Sequence, residues 1–489
     1  MMRVLFVTSE CFPLVKTGGL ADVSAALPPA LAQLGIDVRV LLPGYPAVLD
    51  GLEGRRTARP LSDLPGGGSG RLIAGHLANG VPVYAIDQPE LFDRPGNPYL
   101  APGGADWTDN PLRFGTLGWV AAGFAQTTSS HQWRPDLLHG HDWQAGLMPA
   151  YVAFQGSPRP ATVMTIHNIA YQGQFPPDLL PALHLPAHSF QVDGIEYYGG
   201  IGFLKAGLYY ADRLTTVSPT YAREVQSADY GCGLEGLLAS RTDQFDGILN
   251  GVDYGIWNPA TDPHLIRPYD PDRLDAKIAN KVALQAGFGL APDPDAPLFA
   301  LVSRLTWHKG ADLLLAALPA LLARGGQLVV LGTGDKSLEA ALLRVAGSHP
   351  RAVGVHIGYD EALAHRIQAG ADVLMVPSRA EPCGLTQLYA LRYGTVPLVR
   401  RTGGLEDTVI DATPAALADG CATGFAFDDP TPGALVWAIR RAIDLFHQRD
   451  RWQTIQRRAM TRDFGWDASA RAYAGLYQRL ISGRQAPSP

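Results

Sequence analysis

Cysteine is scarce in this chain of 489 residues: there are 4, at Cys11, Cys232, Cys383 and Cys421, with no C-x-x-C pair. That spacing supports neither a zinc knuckle nor a disulfide framework and suits reduced cytosolic thiols. Long apolar runs are missing as well. Val4 to Val7 meets Thr8 at once, too short for a signal-peptide core, and no later run would span a bilayer, so a cytoplasmic protein is expected. Basic charge is not in excess: 40 Lys and Arg against 46 Asp and Glu give a net charge of −6 and a pI near 6.1. This argues against a general affinity for nucleic acid or anionic membrane, yet leaves room for a local basic pocket. No GxxxxGK[ST] loop marks a nucleotide triphosphatase. Gly332-Thr333-Gly334 follows a strand pattern, but Ser337 replaces the third glycine of a dinucleotide fingerprint, so the turn reads as a tight connection. His139 and His141 lack further ligands at a recognised spacing, and no metal is expected.

What is present belongs to a large globular α/β protein. Hydrophobic residues make up 46% and charged residues 18%, with 54 Gly and 39 Pro for tight connections, and the length suits two large domains. Strand-length apolar runs alternate with helical patterns. Met2–Ser9, Asp37–Leu42, Asp136–Leu138, Ala161–Ile166 and Asp212–Val217 read as strands in the first half. Leu298–Ser303, Gln327–Gly332, Val353–Ile357, Val373–Val376 and Val396–Val399 do so in the second. Leu20–Leu34 and Phe114–Thr127 read as helices, and Ser218 as a helix cap. Pro43 to Asn110 reads as an insertion with a hairpin signal at Asn79-Gly80. A turn at Asn250-Gly251-Val252-Asp253 marks the boundary between the halves.

Three loops carry candidate chemistry. In VPSRAEPCGLTQLY, Glu381 falls in a strand-to-helix turn, where open α/β sheets place ligands; by itself the loop fits a capping carboxylate equally well. Upstream, Arg304 and Lys309 stand five positions apart in SRLTWHKG, between a strand and a helix. Two such cations suit a diphosphate, since Arg grips oxygens bidentately and Lys adds a compact charge. Near the N-terminus, KTGGLADV places Lys16 before Gly18 and Gly19, which let the backbone approach a ligand, with Asp22 in the first helical turn. His139-Gly140-His141-Asp142-Trp143 reads as a polar segment at a strand's end, and His167 and Asn168 close another strand. Arg401-Thr402-Gly403-Gly404-Leu405 echoes the N-terminal loop, a hint of two similarly built halves.

Taken together, SRLTWHKG, PSRAEPCGLTQ and KTGGLADV resemble the bacterial and plant-type glycogen (starch) synthases over nearly the whole chain. That resemblance implies the GT-B fold, two Rossmann-like domains facing across a cleft. It gives an acceptor-side domain over 1–253 with the insertion at about 43–110, and a donor-side domain over 254–460. A helix over 461–481 would return to the first domain, ahead of a disordered tail at 482–489. The implied activity is retaining transfer of glucose from ADP-glucose to the non-reducing end of an α-1,4-glucan, without cofactor or metal. UDP-glucose stays open as the donor, and oligomeric state is unassigned. Residue by residue, Arg304 and Lys309 would hold the diphosphate, while Glu381 would bond to the glucose. Cys383, Gly384, Leu385 and Thr386 would approach by backbone, and Tyr359 would face the nucleobase. Asp142, His167 and Asn168 would lie near the sugar, with Lys16, Gly18, Gly19, Asp22, Asn250 and Gly332 also lining the site. His308 stands where the family commonly has Gln, a change expected to alter only the local environment. Two other readings remain: a phosphorylase-like enzyme, which would need a pyridoxal-binding lysine that no motif marks, and a glucan-binding scaffold using Trp107, Trp119, Trp133 and Trp143.

Overall fold

The computed structural model describes residues 1–126 and 133–485. Contacts divide the chain into two compact units, Met1–Gly251 joined by Trp466 to the C-terminus, and Val252–Gly465.

Unit 1 is built on β1 (Arg3–Val7), β2 (Asp37–Pro43), β3 (Glu53–Leu64), β4 (Gly68–His76), β5 (Pro82–Asp87), β6 (Leu137–His141) and β7 (Ala161–Ile166). After a small sheet of β8 (Gln174–Phe175), β9 (Glu196–Tyr197) and β10 (Gly200–Gly202) come β11 (Arg213–Thr216) and β12 (Phe245–Gly247). The main sheet runs β12-β11-β7-β6-β1-β2-β5-β4-β3. It is parallel from β12 to β5 and antiparallel at β4 and β3. The hairpin at Asn79-Gly80 is there, with Gly80 at φ 83° and Leu77 N–H bonded to Val81 O at 2.9 Å. So the polar 53–76 stretch extends the sheet itself, its outer strand β3 largely exposed.

Several element ends shift by a residue or two from the sequence reading, as at β1, β2 and β11, and two shifts are larger. His139, Gly140 and His141 lie inside β6, paired with β1 and β7, and not beyond its end; both imidazoles are fully buried and find side-chain partners there, so their polarity does not stop the strand. The helix expected from Phe114 starts at Asn110, because Pro111 suits a first turn, while Thr127 lies outside the described residues.

The C-terminal helix Trp466–Gln485 belongs to unit 1. Ala470, Tyr473, Leu476 and Tyr477 are buried in that unit's core, and the Tyr477 hydroxyl stands 2.7 Å from His139 Nδ1. It continues through Gln485, past the tail boundary expected at 482, and no proline interrupts residues 466–485. Residues 486–489 of the expected tail lie outside the described residues.

Unit 2 has one parallel sheet of β13 (Leu298–Val302), β14 (Gln327–Gly332), β15 (Val353–Ile357), β16 (Val373–Val376), β17 (Val396–Arg400) and β18 (Phe425–Phe427), ordered β15-β14-β13-β16-β17-β18. Side chains alternate between two buried faces, as period 2 requires. Phe299, Leu301, Leu328, Val330, Val373 and Met375 join one cluster, and Leu298, Ala300, Val329, Leu331, Leu374 and Val376 another. The order reverses between β13 and β16, which opens a crevice at their carboxyl ends.

Two lysines of helix Lys277–Gly287 are buried with their acceptors. Lys277 Nζ donates to Ala369 O and to Thr395 Oγ1, both at 2.7 Å, and burial lowers its pKa to about 7. Lys281 Nζ pairs with Asp372 at 2.7 Å and with Ala296 O at 2.7 Å, while Asp372 also accepts Leu298 N–H at 2.8 Å. Removing one partner of a buried pair strands the other charge. Lys281→Met should therefore cost about 3–5 kcal/mol in urea unfolding, partly recovered by adding Asp372→Asn. A cost below about 1 kcal/mol would show a solvated pair of little weight.

Candidate active site

The loops after β13 and β16 meet in unit 2 at the strand-order reversal. Lys309, in a single 3-10 turn Trp307–Lys309, places Nζ 2.5 Å from Glu381 Oε2. Glu381 is 7% exposed, and the same oxygen accepts Ser378 Oγ–H at 2.9 Å. Local geometry leaves this carboxylate little freedom. Gly310 takes φ 72°, and a side chain there would put Cβ 2.2 Å from Pro377 O; Gly403, at φ 46°, would put Cβ 2.0 Å from Glu381 O. Only glycine lets these backbones approach so closely.

Two arginines brace the loop. Arg379 forks onto Asp312 with both distances 2.8 Å, holding that carboxyl below its ordinary pKa. It also bonds to Trp307 O at 2.6 Å and lies 4.1 Å from the Trp307 ring. Arg400 Nε donates to Ser378 O at 2.8 Å, and its Nη2 to Arg379 O. Neither arginine, nor Ser378, was marked in advance, although Ser378 and Arg379 lie within the quoted PSRAEPCG run.

Other candidates of unit 2 share the same carboxyl edge. Arg304 follows β13 and is exposed. Gly332 ends β14 against Ser303 O, its turn held by Glu339, which accepts from Thr333 Oγ1 and Gly334 N at 2.8 Å each. Tyr359 follows β15, is 71% exposed and donates to Glu361. Cys383 is buried, Gly384 is left-handed at φ 71°, Leu385 caps helix Thr386–Arg392, and Thr386 begins it.

Unit 1 shows a different electrostatic character at its own strand-order reversal, between β1 and β6. Lys16 pairs with Asp22 at 2.9 Å. Buried Glu10, unmarked in the sequence reading, accepts Thr17 N–H and Thr17 Oγ1–H at 2.5 Å, Gly18 N–H at 3.3 Å and Tyr99 O–H at 2.5 Å. Loop amides at Thr17 and Gly18 are thus bonded to a carboxylate, while Gly18's Cα faces open space and Gly19 begins the helix. An acid three positions past the apolar strand β1, ahead of the glycine turn, was the available signal for Glu10.

Asp142 has φ 55° and ψ −176°, a conformation costing about 1–3 kcal/mol for a non-glycine residue and concentrated at functional sites. Its Oδ1 accepts His167 N–H at 2.6 Å and Asn168 N–H at 3.3 Å, while burial pushes its pKa up to about 7. His167 Nε2 lies 2.9 Å from His141 Nδ1; His141 stacks on Phe6 at 3.9 Å. Burial lowers His139 and His167 to about 3, and His141 well below its ordinary value. Asn250 is buried, with an Oδ1 that has no hydrogen-bond partner among the described residues. Trp133 and Trp143 are core residues, so half of the aromatic set proposed for a glucan scaffold is packed inside. Among the described residues, no group of three or more His, Cys, Asp or Glu is arranged to hold a metal ion, and no helix is long and apolar enough to cross a membrane.

Known proteins resemble this chain along its whole length. Residues 3–240 match the family described as starch synthase catalytic domain, and residues 287–459 match glycosyl transferases group 1. A glycogen synthase of Paramagnetospirillum magneticum is 53% identical over 482 residues, covering 98% of each chain. One from Roseobacter denitrificans is 54% identical, covering 99% of this chain and 100% of its own. Among solved structures, the catalytic domain of Arabidopsis thaliana starch synthase IV bound to ADP and acarbose superposes with a TM-score of 0.88 at 31% identity, covering 98% of this chain and 99% of that one.

The buried histidines set an acid limit on unit 1. Unfolded histidine takes a proton near 6.5, whereas His139 and His141 resist it, so their stability contribution is present above that pH and is lost as pH falls toward about 3. Asp142 acts oppositely, losing stability as pH rises from 3.8 to about 7, but is outnumbered. Melting temperature should drop as pH falls from about 7 to about 5, and His141→Phe should flatten that slope. A slope unchanged by the substitution would remove His141 from the account.

Proposed function

The chain belongs to the glycogen synthase family and is a glycosyltransferase; from that premise we propose that it transfers glucose from ADP-glucose to the non-reducing end of an α-1,4-glucan, with retention of configuration. The observation that carries the chemistry is the Lys309–Glu381 contact at the reversal of unit 2's strand order. There a cation and an acid stand together where a diphosphate and its sugar can bind side by side.

In this reading Arg304 and Lys309 take up the charge that builds on the departing diphosphate, a stabilisation realised mainly in the transition state. Glu381, fixed by Lys309 and Ser378, accepts a hydrogen bond from a glucose hydroxyl. Backbone groups of Cys383, Gly384, Leu385 and Thr386 approach the donor, and Tyr359 offers an exposed ring to the nucleobase. On unit 1, taken by itself, Asp142 and His167 offer polar groups suited to a sugar, and Lys16, Gly18, Gly19, Asp22, Asn168 and Asn250 are that unit's further candidates for binding substrate. Asp142's raised pKa keeps part of its population protonated near neutrality, when it can donate as well as accept. The leaving diphosphate can deprotonate the incoming glucan hydroxyl on the face it departs from, so that no carboxylate becomes glycosylated.

Three measurements test this. Lys309→Ala and Arg304→Ala should each lower kcat by roughly 10²–10³ with ADP-glucose and glycogen; a near-normal kcat with only a raised KM would reassign them to ground-state binding. Proton NMR of the product should show α-linkages, and protein quenched during turnover should carry no glucosyl adduct. A β-linkage, or an adduct on Glu381 or Asp142, would require the two-carboxylate mechanism of glycosidases instead.

A further inference from the structure

His141 touches no solvent and among the described residues makes one side-chain hydrogen bond, Nδ1 to His167 Nε2 at 2.9 Å, while its Nε2 is buried with no partner there. Burial keeps both rings neutral, so each carries one N–H and the link between them holds one proton. Two arrangements satisfy that count. If His167 donated from Nε2, His141 would carry its proton on Nε2, a buried N–H with no acceptor. If His141 donates from Nδ1, its Nε2 is a bare lone pair instead. A buried donor without an acceptor is the rarer defect in folded proteins, and an under-satisfied acceptor is better tolerated. Stacking on Phe6 at 3.9 Å and packing against His139 at 4.1 Å hold the His141 ring in this orientation.

We infer that His141 is a positioning residue that locks His167 into the tautomer with its proton on Nδ1, and thereby makes His167 a hydrogen-bond donor. His167 is half-buried, and its Nδ1 makes no hydrogen bond among the described residues, so that N–H is available to a ligand oxygen. A sugar hydroxyl or ring oxygen is the class of acceptor it suits. The tautomer follows from the geometry of unit 1 alone, whereas its service to the sugar rests on the function proposed above. With Nε2 occupied by His141 and Nδ1 protonated, His167 has no lone pair with which to act as a general base.

Long-range proton–nitrogen correlation on the full chain labelled with nitrogen-15 histidine, near neutral pH, reads the tautomer without any activity measurement. His141→Phe and His167→Gln identify the signals. His167 is expected with a protonated Nδ1 and a bare Nε2; a protonated Nε2, or a rapidly mixed pair, overturns the inference. Kinetics supply the second reading. His141→Phe keeps the stack on Phe6 but not the donor, and should lower kcat about tenfold with little change in donor KM, the scale on which ring-orienting partners act. His141→Asn places an amide N–H near the Nδ1 position and should recover most of that loss. Equal losses in the two variants would overturn the donor role of His141. A normal kcat in His141→Phe, with the tautomer observed as expected, would overturn the role of His167 toward the sugar and leave the lock standing.

Discussion

A buried carboxylate needs a partner, and in unit 2 that partner is Lys309. The 2.5 Å contact with Glu381 joins the ends of two strands, β13 and β16, that are neighbours in the sheet but come from opposite sides of the order reversal. Much of the surrounding sequence follows from holding that contact. Gly310 and Gly403 are glycines because carbonyls of the Glu381 loop pass where a Cβ would sit. Arg379 ties the loop to Asp312 and Trp307, and Arg400 ties Ser378 from beneath. Charge-assisted bonds of this kind fix a geometry before any ligand arrives, and a preorganised set of charges costs no rearrangement when a diphosphate departs.

In unit 1 the corresponding carboxylates are met by N–H and O–H groups. Glu10 accepts from the N–H groups of Thr17 and Gly18 and from the hydroxyls of Thr17 and Tyr99, and Asp142 accepts from the N–H groups of His167 and Asn168. The rings between them are neutral histidines whose chain of contacts runs through Thr165 to Thr215 on one side and to Tyr477 on the other. The last of these explains why the C-terminal helix matters to the interior of unit 1: its tyrosine supplies the hydroxyl for His139. Satisfied networks of this type specify one arrangement of a core, whereas a broken one leaves a buried polar atom unpaired. The strained backbone of Asp142 is held by the same bonds.

Strands with strong apolar runs were legible: β7, β14, β15 and β16 begin and end where the residues predict. Legibility failed where polarity misleads. Histidines inside β6 look like a loop until their buried partners are known, and the exposed residues of β3 give no alternating pattern to read. β18, only three residues long, carries too little pattern to be found. For the site, motif residues such as Lys309 and Glu381 could be named because their types and spacing declare a chemistry. Arg379, Arg400 and Glu10 could not, and His141, visible only as part of a polar segment, gave no sign of its partner. Their work is to hold other residues, and the partners stand 67 positions away for Arg379 with Asp312, or 26 for His141 with His167. No local pattern encodes a distance of that kind.

His308 shows the same distinction from the other side. A histidine in place of the family's usual glutamine stood out in the sequence, yet the side chain is exposed and meets the Trp307 ring only edge-on at 5.2 Å. What position 308 contributes to the loop is its carbonyl, which accepts Arg379 N–H at 2.8 Å. A carbonyl is present whatever the side chain, so the exchange leaves the brace between the β13 and β16 loops intact. Glycine at 310 has no such latitude, because there the backbone conformation and the absence of a Cβ are themselves the contribution. Conspicuousness in the sequence and consequence in the structure part company here, and the rule that separates them is whether a position works through its main chain or its side chain.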